Sequence, residues 1–257
     1  MNESQAELAV ASPATCGRAI RHLLFGSVMN LRIALFLAAA VSFLSGCATA
    51  PQLPVPLSPT ALTVPNTKIG VAMTAIPKVN TFFPGANCLL CLGAAELTNA
   101  TLSTYVQTLQ LEDLPQLKNK IAAVLTKKGN SALVIDEALN LESLADHKTE
   151  VPNMARKDFK SLKGKYKVDK LLVLELNVSV QRAYASYFPA GDPKAQMQGV
   201  AYLVNLNDNS FEWYLPVSII KGSDGKWDEP PSFPGLTNAY FQVLEMGKDS
   251  ILNPLSN

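Results

Sequence analysis

Residues 169–181 read DKLLVLELNVSVQ and are the longest strand-like stretch of the chain. The first part, residues 171–174, is continuously apolar, which is typical of a strand that is covered on both faces. From Leu174 onward apolar and polar residues alternate, which predicts a strand with one face towards water. We therefore expect a central strand that begins inside the core and ends with one solvated face.

Two more strands are predicted after this one, at residues 197–206 and 211–221. The sequence Asn-Asp-Asn-Ser at residues 207–210 lies between them and is typical of a tight turn, so the two strands are expected to pair antiparallel. Pro216 has no amide hydrogen to donate to a neighbouring strand, which favours a position at a sheet edge or a bulge.

Elsewhere in the chain, apolar residues recur at helical spacing. Asp113, with Gln116 three residues later, is expected to cap one of these helices. The other predicted elements are strands at 68–75 and 131–139, helices at 102–109 and 114–125, a short helix capped by Asn153, and a closing helix that Pro254 stops. The order β–α–α–β–α–β–β–β–α predicts an α+β fold, in which residues 67–257 form one domain with a single mixed β-sheet and helices packed on it.

The composition argues against several classes of function. The chain has 257 residues, 22 Lys and Arg against 21 Asp and Glu, and a formal net charge of +1. Nucleic-acid-binding proteins normally carry a clear basic excess, so no nucleic-acid partner is expected. Two histidines are few for a metal site or a histidine-based catalyst, and no Gly-x-Ser-x-Gly or phosphate-binding loop is present. We expect a protein that is not an enzyme and uses no cofactor.

The amino-terminal part has the features of a secretion signal. Residues 33–44, IALFLAAAVSFL, are twelve apolar and uncharged residues after Arg32, which is too short to span a bilayer. The sequence Leu44-Ser45-Gly46-Cys47 follows directly. We interpret residues 1–46 as a signal peptide, in which residues 1–28 read as an upstream extension before a start at Met29. An ordinary signal peptide or a short membrane anchor is the alternative.

Leu44-Ser45-Gly46-Cys47 closely resembles the lipobox of bacterial lipoproteins. The resemblance implies cleavage before Cys47 and attachment of fatty acids to this residue, which would anchor the protein to a membrane. Ala48 stands where an Asp often signals inner-membrane retention in such lipoproteins. The resemblance therefore implies a protein on the outer membrane that faces the periplasm.

Residues 47–66 are expected to form a tether after the lipidated cysteine. Residues 48–66 contain five prolines and no charge, which predicts an extended and semi-rigid segment. It could be a spacer that lifts the domain from the membrane or a leader with no length requirement.

The domain has a weaker resemblance of its own. Tyr166-x-Val168-Asp169 before an apolar strand is similar to a turn that recurs in envelope lipoproteins. With the order of elements, it resembles the lipoprotein activators of penicillin-binding proteins, the curli-secretion lipoprotein, the amino-terminal domain of the Tol-system propeller protein, and neisserial-type conserved lipoproteins. The resemblance spans about residues 67–253 and implies a non-enzymatic docking or assembly module, with no particular binding residue.

Cys88 and Cys91 are the chemical motif of the predicted domain. Their spacing allows a disulfide, which the periplasm favours, a redox-active pair, or two free cysteines buried as small apolar residues. They lie in residues 82–95, FFPGANCLLCLGAA, fourteen residues without charge. This run is expected to be either a buried loop and helix start or an exposed apolar patch for a partner.

Three aromatic residues lie between the predicted third and fourth strands: Tyr184, Tyr187 and Phe188. They could anchor a protein partner at the tip of a hairpin, or fold back over the sheet edge. Together, these features predict a lipid-anchored accessory protein that docks to or helps assemble a cell-envelope complex. The alternatives are a periplasmic thiol–disulfide protein that uses Cys88 and Cys91, and a homo-oligomeric component of a secretion apparatus.

Overall fold

The computed structural model describes residues 51–64, 67–149 and 151–256. The predicted signal peptide, the start at Met29 and the lipidation of Cys47 lie outside the described residues. From Gln52 onward the chain forms one compact unit.

The described elements alternate between strands and helices along the chain. The strands are β1 (Lys68–Met73), β2 (Asn80–Phe82), β3 (Ser131–Val134), β4 (Lys170–Gln181), β5 (Tyr184–Ala185), β6 (Phe188–Pro189), β7 (Lys194–Asn205) and β8 (Phe211–Gly222). The helices are α1 (Leu89–Thr98), α2 (Ala100–Val106), α3 (Leu117–Lys127), α4 (Lys160–Tyr166) and α5 (Pro234–Ser256), with short 3₁₀ turns at Leu114–Gln116 and Leu141–Ser143.

The main sheet is mixed, and its strand order is β3–β1–β4–β7–β8. β1 is parallel to β3 and β4, whereas β4, β7 and β8 are antiparallel neighbours, and the short β2 pairs with the last residues of β4. The α+β class and the mixed main sheet are therefore confirmed, whereas β5 and β6 form a second, two-stranded sheet, and β2 and α1 are additional to the predicted order. We call the end of the sheet where β1, β3, β4 and β8 begin the lower end, and the opposite end the upper end.

β4 is the central strand, as its sequence predicts, because its residues 171–174 are buried on both faces. Leu172 and Leu174 belong to the larger core, which includes residues of α3 and α5. Leu171 and Val173 belong to a smaller core with Phe159 and residues of α4. Further along, Asn177 is exposed, but Ser179 is buried and accepts from Gln196 Nε2 at 2.8 Å, so the predicted solvated face is only partly present.

β8 is an edge strand, which explains how it accommodates Pro216. The residue that pairs with its outer edge is unexpected, because Val55 belongs to the predicted tether. The amide of Val55 donates to the carbonyl of Tyr214, and the amide of Tyr214 donates back to the carbonyl of Val55, both at 2.9 Å. This pairing covers part of an edge that would otherwise be open to another strand.

Other contacts hold the same segment on the domain. Ala61 and Leu62 are buried in the larger core. Lys170 Nζ donates to the carbonyl of Ala61 and Asn130 Nδ2 to the carbonyl of Leu62, each at 2.7 Å. The prediction of a tether over residues 47–66 is therefore wrong for residues 52–64, which we call the strap. Its prolines prevent regular pairing, yet its carbonyls and apolar side chains still find partners on the domain.

Three predicted boundaries are also corrected. Asp113 does not cap a helix; its carboxylate instead accepts from Lys120 at 2.5 Å and from Lys248, and these bonds lower its pKa to about 2. Asn153 lies in a turn with a φ of +58°, and α4 begins only at Lys160. Pro254 lies inside α5, which ends at Ser256.

Three predicted spans are longer than the observed elements. The strand predicted at 68–75 is β1, which ends at Met73. The strand predicted at 131–139 ends at Val134, and the helix predicted at 102–109 is α2, which ends at Val106. In the last two cases apolar residues beyond the element, such as Leu139 and Leu109, still pack on the core from a loop. Burial without regular backbone pairing produces the same sequence pattern as a longer element.

We predict that Lys170→Met lowers the free energy of unfolding by about 3 kcal/mol. Lys170 Nζ contacts Glu212 Oε2 at 2.5 Å, and both side chains are largely buried, so the change leaves a carboxylate without its cation. Urea denaturation of the purified protein measures the loss. Adding Glu212→Gln should recover most of it, while Lys127→Met, on the surface, should change stability by less than about 0.5 kcal/mol. Equal losses in both lysine variants would contradict this account.

Candidate docking surface around the Cys88–Cys91 disulfide

The two cysteines form a disulfide at the start of α1. Their sulfur atoms lie 2.08 Å apart. Cys88 is the N-cap residue of α1, with an extended backbone, and its Sγ accepts a hydrogen bond from the amide of Cys91 at 2.9 Å. Cys91 is buried and Cys88 is exposed. The bond therefore stabilises the first turn of a helix that has no acidic or hydroxyl side chain to cap it.

A small separate core lies beneath this disulfide. It consists of Phe83, Ala86, Cys91, Ala95 and Tyr184. The Tyr184 ring packs edge-on against the Phe83 ring with 5.7 Å between ring centres, and its hydroxyl accepts from Asn99 Nδ2 at 2.6 Å. Tyr184 thus fastens the β5–β6 hairpin to α1. Because Tyr184 is buried, it is not one of the residues that could contact a partner, contrary to the prediction that all three aromatic residues of the hairpin could anchor one.

Gly85 allows the hairpin to approach this closely. Its φ is +91°, and a Cβ at this position would lie 1.9 Å from the carbonyl oxygen of Tyr184. The amide of Tyr184 donates to the carbonyl of Pro84 at 2.7 Å, and the amide of Ser186 donates to the carbonyl of Gly85 at 3.2 Å. The loop before α1 and the hairpin therefore pair through their backbones, which makes them one rigid platform.

This platform carries large apolar side chains that face water. On α1, Leu89 is 88% and Leu90 74% exposed; on the hairpin, Tyr187 is 48% and Phe188 73% exposed. The Tyr187 hydroxyl lies 3.7 Å from Cys88 Sγ, which brings the hairpin side chains next to the start of α1. We call these four residues the α1–hairpin surface.

The uncharged run at residues 82–95 satisfies both of its predicted interpretations. Phe83 and Ala95 point into the small core, while Leu89 and Leu90 point outward. Leu97 extends the outward face, since it lies seven residues after Leu90 on the same side of α1 and is 81% exposed. The segment is therefore a buried loop and helix start on one side and an exposed apolar patch on the other.

A shallow groove of about 550 Å³ adjoins this surface, between β2 and α1. Its apolar walls include Phe82 and Leu92, which are 43% and 38% exposed. Glu96, whose side chain is acidic, also lines the groove. Asn80, Ser103 and Gln107 also line the groove, so it is mixed in character and the apolar exposure is concentrated on the α1–hairpin surface.

Polar contacts at the back of the platform hold it on the domain. Arg182 Nη1 donates to Asn99 Oδ1 at 2.8 Å, and its guanidinium lies over the Trp227 ring, 4.7 Å from the ring centre. Asn99 also donates to the carbonyl of Ala95 at 2.7 Å. Arg182, Asn99 and Trp227 come from distant parts of the chain, so no local pattern in the sequence indicates their contact.

The described residues offer little else for chemistry. Across residues 51–64, 67–149 and 151–256, no group of three or more His, Cys, Asp or Glu side chains could hold a metal ion. No helix within this part of the chain is long and apolar enough to cross a membrane. His147 has its Nδ1 3.1 Å from the carbonyl of Ala155, in a structural position. The α1–hairpin surface is therefore the candidate functional site, because folding alone does not explain its exposed apolar side chains.

No protein-family model and no curated protein matches this sequence. Among solved structures, the chain is similar to a homologue of a neuraminyllactose-binding hemagglutinin from Helicobacter pylori (TM-score 0.35, 9% identity, 80% of this chain and 90% of that one). It is also similar to the PelC dodecamer from Paraburkholderia phytofirmans (TM-score 0.28, 11% identity, 81% and 94%) and to the lipoprotein GNA1162 from Neisseria meningitidis (TM-score 0.28, 13% identity, 74% and 99%). Similarities this low assign neither a family nor a function to the chain.

We predict that Gly85→Ala detaches the hairpin from α1, because the added methyl group overlaps the Tyr184 carbonyl. The expected cost is about 2 kcal/mol of unfolding free energy or more, together with faster proteolysis within residues 183–193. Gly93→Ala is the matched control: no atom lies within 4 Å of its added Cβ, and alanine suits the middle of a helix better than glycine. The control should gain about 0.5–1 kcal/mol. A hairpin that stays protected in Gly85→Ala would contradict the platform.

Proposed function

We propose that this protein is a lipid-anchored, non-catalytic accessory of a cell-envelope complex, and that the α1–hairpin surface is where it docks to a protein partner. Lipidation of Cys47 follows from the lipobox-like sequence Leu44-Ser45-Gly46-Cys47. An outer-membrane position facing the periplasm follows from Ala48 after this cysteine. The disulfide between Cys88 and Cys91 suits an oxidising compartment.

The observation that carries the docking role is the exposure of large apolar side chains on a rigid platform. Isolated surface leucines are common, but a cluster of leucine and aromatic side chains costs solubility and usually marks a contact site. Here the backbone pairing, the disulfide and the Tyr184 anchor hold the cluster in place before any partner binds. Such preorganisation reduces the conformational entropy lost on binding.

The chemistry of the surface indicates the chemistry of the partner. Leu89, Leu90 and Phe188 carry no charge and offer no hydrogen-bonding side chain, so they suit an apolar contact. Tyr187 combines an apolar ring with a hydroxyl group and belongs to the residue types that dominate interface energies. We therefore expect a protein partner that presents apolar side chains, rather than a nucleic acid, a sugar or an acidic peptide.

The anchor is tested by Cys47→Ser. In the bacterial cell, this variant should no longer partition into detergent, because it lacks the sulfur to which fatty acids would attach. Mass spectrometry of the amino-terminal peptide of the unaltered protein should show fatty acids on Cys47. Unchanged detergent partitioning of Cys47→Ser would contradict the lipid anchor and, with it, the proposed location.

The docking role is tested by Leu90→Ser combined with Phe188→Ser. Both side chains are exposed, so the variant should keep its melting temperature within about 2 °C and lose at least tenfold of its crosslinking to the partner in cells. The matched control is Ile220→Ser with Met246→Ser, two exposed apolar residues outside this surface. Equal crosslinking in both variants would contradict the docking surface.

One observation favours the thiol–disulfide alternative. Cys88 is exposed at the amino terminus of α1, where the helix dipole favours a thiolate, and Cys91 is buried behind it. The two sulfur atoms otherwise contact hydroxyl groups, Tyr187 for Cys88 and Ser186 for Cys91 at 3.3 Å. A measured reduction potential decides between the roles: below about −300 mV the bond is structural, as docking requires, and between about −270 and −120 mV it is redox-active.

A further inference from the structure

The strap determines where the membrane anchor enters the domain. Gln52 Nε2 donates to Asn153 Oδ1 at 3.0 Å, and the carbonyl of Asn153 accepts from the amide of Phe211 at 2.7 Å. Phe211 is the first residue of β8, so the strap begins at the lower end of the sheet. Since only five residues lead from Cys47 to Gln52, the lipidated residue cannot be further than about 17 Å from this point.

The α1–hairpin surface lies at the other end of the sheet. Phe211 is level with Val204, and Val204 is level with Leu171 of β4. From Leu171 the strand continues for ten residues to Gln181, or about 33 Å, and the β5–β6 hairpin follows immediately. The lower end, where the strap begins, and the docking surface are thus separated by the length of the central strand, which exceeds the greatest distance that the five residues from Cys47 to Gln52 can span.

The lower end is rich in exposed lysine side chains. α3 ends and β1 begins there, and α4 begins near it, since the amide of Phe159, directly before α4, donates to Asn209 Oδ1 in the β7–β8 turn at 2.9 Å. The acidic side chains at this end include Asp158, Asp169 and Asp208, which accept backbone hydrogen bonds from Lys160, Lys68 and Ser210. The exposed basic side chains at this end include Lys68, Lys127, Lys128, Lys160 and Lys167.

We propose that the lower end lies against an anionic phospholipid bilayer and that the α1–hairpin surface faces away from it. The inference rests on the lipid anchor at Cys47 proposed above. The short linker allows the lower end to come within about 10 Å of the bilayer, the distance over which an anionic surface attracts lysine side chains. The central strand then places the docking surface some 30 Å further out, where it meets a partner in the aqueous space rather than the acyl chains.

The experiment uses the full-length lipoprotein purified from cells and reconstituted into phosphatidylethanolamine vesicles with about one third phosphatidylglycerol. A nitroxide label is placed at the lower end by Ser161→Cys or at the upper end by Gly191→Cys, both exposed positions. A trace of lipid with a Ni²⁺-chelating headgroup enhances the relaxation of labels near the bilayer. We expect the enhancement at residue 161 to be at least fivefold that at residue 191. Equal enhancement, or a stronger effect at residue 191, would overturn the orientation.

Two pairs of lysine variants test whether the charges at the lower end contribute to the orientation. Lys127→Glu with Lys160→Glu should reduce the enhancement at residue 161 at least twofold, as should high salt. Lys78→Glu with Lys226→Glu, which changes exposed lysines away from the lower end, should leave it unchanged. An equal response of both pairs would overturn the role of the lower-end lysines.

Mass spectrometry of Cys47 in the same sample distinguishes a failure of the lipid anchor from a failure of the orientation alone. Without fatty acids on Cys47, the anchor and the orientation both fail. With Cys47 lipidated and the two labels equally enhanced, only the orientation fails, and the docking role still depends on its own crosslinking result.

Discussion

The burial of β4 on both faces is the constraint on which the rest of the structure depends. Leu171 and Val173 fill one core while Leu172 and Leu174 fill the other, so a shift of the strand by one residue would exchange the two sets. The same strand pairs with parallel β1 on one side and antiparallel β7 on the other. Its register therefore determines the arrangement of both halves of the sheet.

This strand also connects the lower end of the sheet to the candidate docking surface at the upper end. Lys170 at its start contacts both Glu212 and the carbonyl of Ala61, which ties the strap to the lower end. Arg182, directly after its last residue, contacts Asn99 and Trp227 and holds the platform at the upper end. A rigid connection of this length would keep a docking surface at a constant distance from a membrane anchor.

Sequence reasoning succeeded where local pattern and tertiary burial coincide. The apolar run at 171–174 and the alternation after it predict β4, and the turn at 207–210 predicts the β7–β8 hairpin. It failed where long-range pairing decides the structure. Prolines and the absence of charge made the strap resemble a free tether, because its partners, such as Tyr214 and Lys170, lie more than a hundred residues away.

The same limit applies to the candidate docking surface. The sequence identified both segments, through the spacing of Cys88 and Cys91 and through the aromatic residues of the hairpin. It did not indicate that the two segments contact each other. Gly85 allows the chain to approach Tyr184 closely, although the two residues are about a hundred positions apart. This approach determines that Tyr184 is buried and Tyr187 faces water. The contact of Arg182 with Asn99 and Trp227 is likewise formed only in the folded domain, so composition and periodicity could not reveal it.

The most direct test of the central claim is site-specific photocrosslinking in living cells, with a benzoyl-phenylalanine placed at position 188 or, as the reference, at position 220. If the α1–hairpin surface docks to a protein, illumination should yield one discrete protein adduct from position 188 and none from position 220. Adducts of equal pattern and strength from both positions, or none from position 188, would contradict the account.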